Sequence, residues 1–247
     1  MRNSFTPFPN KNLEVFDRYI TNEKSSGNLL ASPAAIGDYQ LTFTAGHGAV
    51  VDDVVTIQEG GHTSQAEITA VATNLITLDT RLDHAFTTAA DVYLGAENIA
   101  LNGSMASPVI CRVKPAPEAI ISVSRMIITI TDDTAMDDAK FGGITALANG
   151  IVLRKYGDSG SFVKNFCNIK SNNEFALRTY DLTYSDKAPA GVYGLRTRRT
   201  FAGDEKQATF IRLDGSRNDE LQIVIQDDLT GLTSMNAVAQ GNIARGG

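Results

Sequence analysis

The chain has 247 residues, 43% of them hydrophobic and 20% charged. That apolar share excludes wholesale disorder, the length suffices to bury a core without disulfide or metal staples, and no apolar run approaches the ~18 residues of a membrane-spanning helix. The net charge of -6 argues against a nucleic-acid-binding domain, which neutralises phosphates with a basic excess.

Residues 1–30 read as an N-terminal arm. Pro7 and Pro9 disfavour a helix at the start. Leu13, Phe16 and Ile20 have helical spacing and predict one short amphipathic turn near 12–20, with Ser25-Ser26-Gly27 as a break. Phe5, Phe8, Phe16 and Tyr19 crowd this segment. Two readings stay open: a solvated tail, or an extended arm that docks on a neighbouring subunit through those four aromatics. The opening Met-Arg-Asn-Ser-Phe-Thr-Pro lacks the apolar stretch of a secretory signal, so the protein is expected to be made intracellularly.

Residues 31–105 read as a small β-module. Tyr39, Leu41 and Phe43 alternate with polar residues, and Val55/Ile57, Ala66/Ile68/Ala70, Leu75–Leu78 and Val92–Leu94 follow in the same period of two. Gly46, Gly48, Gly60-Gly61 and Asn74 punctuate these runs as turn residues. Short strands joined by turns predict a small barrel-like module. Gly103–Ser107 reads as a linker, with the boundary near residue 105. The charge changes there: residues 1–105 carry 5 Lys+Arg and 12 Asp+Glu, and residues 106–247 carry 17 and 16. The acidic excess lies wholly in the first part, which supports two modules with different surfaces.

Residues 106–247 read as a larger β-domain. Strands are predicted over 108–113, 118–131, 150–156, 161–169, 208–213, 220–226 and 234–241, the third and fourth forming a hairpin around Gly157-Asp158-Ser159-Gly160. Short helical turns are predicted at 144–148 and 174–180. Long strands between long loops fit a β-sandwich or jelly roll. The chain is therefore expected to be mainly β: a small barrel-like module, then a sandwich, with an extended arm in front.

Candidate chemistry is sparse. Thr44-Ala45-Gly46-His47 and Gly157-Asp158-Ser159-Gly160 look like the histidine and serine motifs of bacterial chymotrypsin-like proteases, in the right order, with Asp79, Asp83 or Asp91 available as the acid. Ser161 stands where that family has a second glycine and Gly48 where it has a cysteine, so two turns are the preferred reading and no catalytic residue is assigned. His47, His62 and His84 lack metal-ligand spacing and read as loop histidines of the first module. Asp132, Asp133, Asp137 and Asp138 crowd one loop, either solvated or holding a cation. Cys111 and Cys167 form no zinc pair and read as buried free thiols. Arg196, Arg198 and Arg199, with Lys187 and Lys206 nearby, read as a basic loop that meets an acidic protein surface or stays solvated; nucleic acid is the least favoured partner. No phosphate-cradling glycine motif follows a strand, and no cofactor or metal is expected.

Several stretches resemble structural proteins of tailed-bacteriophage particles. They are Asn98–Ser104, Ala135–Gly143, Asn149–Lys155, Asp186–Gly194 and Asp219–Thr230, together with the Asp52-Asp53-Val54-Val55-Thr56-Ile57 run of the first module. The resemblance covers roughly residues 30–243. It implies a non-enzymatic virion part made in the host cytoplasm: a capsid decoration or vertex protein, a neck or collar protein, or a tail accessory. Its partners would be other virion proteins and copies of itself, with no membrane involved. A receptor- or carbohydrate-binding tip of such a particle is the alternative. The implied subunit contacts fall on Phe5, Phe8, Phe16, Tyr19, Arg196, Arg198 and Arg199.

Overall fold

The computed structural model describes residues 13–134, 143–144, 147–157, 161–170, 181–185, 193–200 and 210–245. The chain is mainly β, and the sheets are antiparallel. Among the described residues no α-helix occurs, and a 3-10 turn at Gly215–Arg217 carries an Asp214 cap whose side chain accepts from the Ser216 N–H.

The first strand, β1 (Leu13–Tyr19), belongs to the large C-terminal unit, while β2 (Glu23–Gly27) opens the small one. The small unit adds β3 (Gln40–Thr42), β4 (Asp53–Glu59), β5 (His62–Ala72), β6 (Leu75–Leu78) and β7 (Asp91–Ala96) in the order β2-β7-β4-β5-β6-β3. The ends of this sheet are drawn together by bonds from the Ala31 N–H to the Thr42 carbonyl (2.8 Å) and from the Thr44 N–H to the Leu29 carbonyl (2.7 Å). They curl the sheet without closing it into a barrel. Inside lie Leu41, Phe43, Ile57, Ile68, Ile76 and Leu94, alternate positions that the period of two marks, together with Phe86. Gly60 and Gly61 link β4 to β5 with φ of 53° and 79°. Positive φ at both central positions is the pattern of the type I′ hairpin loop, and glycine adopts it without steric cost.

The large unit contains β8 (Val109–Val113), β9 (Ala119–Asp132), β10 (Ile151–Gly157), β11 (Ser161–Ile169), β12 (Asp181–Ser185), β13 (Tyr193–Thr200), β14 (Ile211–Asp214), β15 (Glu220–Ile225) and β16 (Ser234–Arg245). One sheet runs β1-β16-β9-β13-β12, with β14 also beside β9; the other runs β11-β10-β15-β8. Their facing sides share one core. Phe16, Ile121, Val123, Met126, Ile128, Ile130 and Ala237 come from the first sheet, and Cys111, Val113, Ile151, Leu153, Leu221 and Ile223 from the second. The arrangement is β-sandwich-like.

The spine of the sandwich, β9, changes the parity of its buried face midway. Ala119, Ile121 and Val123 face the core, then Met126, Ile128 and Ile130 do. The change falls where Gln240 and Gly241 pair with Arg125 and Val123, which leaves Ser124 as the extra residue of a bulge. Without that insertion the second half of the strand would turn its isoleucines outward.

Two expectations need correction. Residues 13–19 form a strand instead of a helical turn. The stretch at 144–148 contains no helix where it is described, and its Leu147 N–H bonds the Lys170 carbonyl at 2.9 Å. The turn predicted at 174–180 lies outside the described residues. The chain also joins the large unit's core ahead of residue 105. Ile99 is 2% exposed in that core, and its N–H bonds the Met235 carbonyl at 2.7 Å.

Candidate functional site

The chain passes between the units twice, after Tyr19 and before Ile99, and the polar groups around these crossings are the densest candidate site. Sequence sets the first crossing. An edge strand such as β1 leaves N–H groups unpaired on its outer side. The small unit takes up one of them, the Tyr19 N–H, which donates to Gln65 Oε1 (2.6 Å), and the Arg18 side chain reaches across to donate from Nη2 to the Thr63 carbonyl (2.8 Å). Gln65 Nε2 donates in turn to Thr56 Oγ1 (2.9 Å), which fixes the amide's orientation on its own sheet. Gln58 Nε2 donates to the Lys114 carbonyl (2.9 Å), and the Arg112 N–H donates to the Thr21 carbonyl (2.9 Å).

An open cleft of about 580 Å³ runs beside these contacts. One wall carries Glu67, Asp79 and Thr80 of the small unit, and the other carries Asp17, Ile127, Thr129, Asn236, Val238 and Gln240 of the sandwich. Its volume is within the range of small-ligand clefts, but its walls are mostly polar. Burial, together with Glu97, Asp79 and Asp52 nearby, pushes the Glu67 carboxyl above the usual carboxylate range. The Tyr19 phenol is raised too, by burial first and then by Glu97, Glu67, Asp79 and Asp17. The acidic excess of the first module is thus concentrated partly on this wall.

A second polar cluster lies where β5 begins. The rings of His62 and His84 lie 4.0 Å apart, tilted by 33°. Asp83 Oδ1 stands 3.0 Å from His84 Nδ1 and accepts from the Ser64 hydroxyl. Burial pushes the Asp83 carboxyl up, but the Ser64 and His84 contacts outweigh it, so the group titrates below its ordinary range. From the sandwich, Arg245 pairs with Glu14, its side chain only 6% exposed. Burial lowers the Arg18 guanidinium, and Arg245 adds to that, against Asp83, Asp17 and Glu14. His62 is lowered by burial, then by His84 and Arg245, with Glu14 and Asp83 opposing. Among the described residues no group of three or more His, Cys, Asp or Glu side chains is arranged to hold a metal ion.

The sequence-predicted residues scatter. Phe5 and Phe8 lie outside the described residues. Phe16 is 1% exposed inside the sandwich core, so it secures β1 to its own chain and is not an anchor for a neighbour. Tyr19 is half-buried at the junction. Arg196, Arg198 and Arg199 lie on β13, a strand and not a loop. The register sets Arg196 and Arg198 opposite Thr129 and Ile127, and Arg199 opposite the core residue Met126. Lys187 and Lys206 are outside the described residues.

His47 is 8% exposed and structural. Its Nδ1 accepts from the Ala49 N–H (3.0 Å), so Nε2 carries the proton and donates to the Thr73 carbonyl (2.9 Å). Neither nitrogen is left to activate a serine. Ser159 lies outside the described residues, between strands β10 and β11 of the sandwich. Asp132 is 1% exposed and accepts from the backbone N–H groups of Asp133 (2.8 Å) and Gly143 (2.7 Å), while Asp137 and Asp138 are not described. Cys111 is free and buried, its thiol pushed up to about 12 by burial. Cys167 lies on β11 opposite Leu153. The cluster that sequence reading missed is the His62–His84 pair: His62 opens β5, and His84 lies in the loop between β6 and β7. The 21 intervening positions hide it, since only the folding of the small unit brings the rings together.

In comparisons with known proteins, no family profile, no curated protein and no solved structure matches this chain.

Proposed function

We propose that the chain is a non-enzymatic structural component of a tailed-bacteriophage particle, assembling in the capsid, neck or tail through contacts with copies of itself and with other virion proteins. The observation that carries this reading is the resemblance of residues 30–243 to such proteins, above all Asn149–Lys155 and Asp219–Thr230. The sheets are compatible with that work. Asn149–Lys155 leads into and forms most of β10, and Asp219–Thr230 contains β15, so two of the resembling stretches are adjacent strands of one sheet. Two antiparallel units crossed twice by the chain give a broad surface for repeated subunit contacts.

The test is to purify particles of the phage that encodes the chain and search them for its peptides by mass spectrometry, with antibody labelling under the electron microscope to locate it. Peptides in constant ratio to the major capsid protein are expected. Peptides abundant in the infected lysate but absent from washed particles would overturn the proposal.

A further inference from the structure

We propose that the His62–His84 pair is an acid-sensitive latch between the two β-units: neutral, the stacked rings close the junction, and doubly protonated, they loosen it. The geometry carries the argument. His62 and His84 stack at 4.0 Å on the small unit. Facing them from the sandwich are Glu14 and Arg18 on β1 and Arg245 on β16, with the exposed Asp17 beside Arg18. Asp83, next to His84, completes the set. Arg18 spans the junction directly through the Thr63 carbonyl, one residue from His62.

Arg18 and Arg245 bring two positive charges against the three negative charges of Glu14, Asp17 and Asp83, so two imidazolium ions would leave positive charge in excess. Arg245 is taken by Glu14, and Asp83 offsets Arg18. His84 Nδ1 stands 3.0 Å from Asp83 Oδ1, so that carboxylate is already engaged. A proton entering His62 would lie beside the His84 ring and Arg245, with Glu14 paired to Arg245. Two cations stacked in a half-buried site repel strongly, because the surroundings screen them less than water does. The His62 pKa lies below its ordinary value in the folded protein, so the unfolded or opened state binds this proton more readily. Stability from the pair is therefore complete above the ordinary histidine pKa of ~6.5 and is lost as pH falls through the lowered folded value. The proposal concerns the motion between the units and does not depend on where the chain serves.

Hydrogen exchange on the full chain tests it, comparing about pH 7.5 with about pH 5 after correction for intrinsic exchange rates. In the wild type, amides of 13–21 and 62–68 are expected to exchange several-fold faster in acid, while those of 121–130 in the sandwich core hold. His62→Gln should abolish the acid response. His62→Lys should show the loosened junction already at the higher pH. His84→Gln serves as the second variant, since removing the ring partner should blunt the response as well. No acid response in the wild type, or a full response in both glutamine variants, would overturn the latch.

Discussion

At the scale of single residues, Gly241 is one of the tightest constraints. A Cβ built there would lie 1.9 Å from the Ser122 carbonyl oxygen and 2.9 Å from its carbon, both backbone atoms of the central strand. Backbone cannot rotate aside as a side chain can, so the strand has to shift or the bulge at Ser124 has to open. The bulge sets which isoleucines of β9 reach the core, so its loss propagates to Met126, Ile128 and Ile130. Gly241→Ala is expected to destabilise the chain by about 2 kcal/mol or more, at the upper part of the overpacking range. Chemical denaturation of the two proteins measures it, and an unchanged midpoint would show that β16 has slack at this point. The residue scale was also where sequence reading had least purchase. His47 is a backbone clamp because its two ring nitrogens meet a carbonyl and an N–H brought by separate turns, and the tetrapeptide around it resembles a catalytic motif only as a string.

At the scale of elements, legibility followed the period of the burial. The predicted strand at 118–131 matches β9 closely, because almost every second residue of it is buried and the alternation is written into Ile121, Val123, Ile128 and Ile130. β1 was not legible. It is an edge strand with Val15 81% exposed on one face and Phe16 1% exposed on the other, so it contributes too few buried positions to show a period of two. Leu13, Phe16 and Ile20 then imitate helical spacing by coincidence. β13 was hidden for another reason: Gly191, Gly194 and the arginines read as loop chemistry, while its pairing with β9 over Tyr193–Asp132 to Thr200–Arg125 is a tertiary contact. The place of β1 has a consequence for the arm. Phe16 lies opposite Gly241, where no side chain competes for the space, and packs into the sandwich. Phe16→Ala is expected to cost about 3–5 kcal/mol, the range for a fully buried phenylalanine. A loss below ~1 kcal/mol in the same denaturation assay would mean that β1 is dispensable to the sandwich, and would reopen its use as an arm toward a neighbour.

At the scale of the whole molecule, the two cores are separate while the units share chain and polar contacts. The small unit's core draws its buried residues from Leu30 to Leu94 alone, and the sandwich takes Phe16, Ile20 and Ile99 from either side of that stretch. The small unit therefore sits as an insertion between β1 and the rest of the sandwich, an arrangement that a boundary placed at one linker does not express. Its hydrogen bonds to the sandwich are made by side chains such as Gln65, Gln58 and Arg18, which water can replace. Its hydrophobic core, by contrast, is internal. A fragment of residues 22–97 is accordingly expected to fold alone, with dispersed amide resonances and a cooperative melt. It would be only marginally stable, because a core in a chain of fewer than ~80 residues rarely supplies more than about 3–5 kcal/mol. Exposed Val50, Val51 and Leu75 lie outside that core in either context and give no reason for failure. A fragment with collapsed, undispersed resonances would show that the junction contributes to the small unit's stability, and the acid response of the junction should then weaken the whole unit and not only its docking.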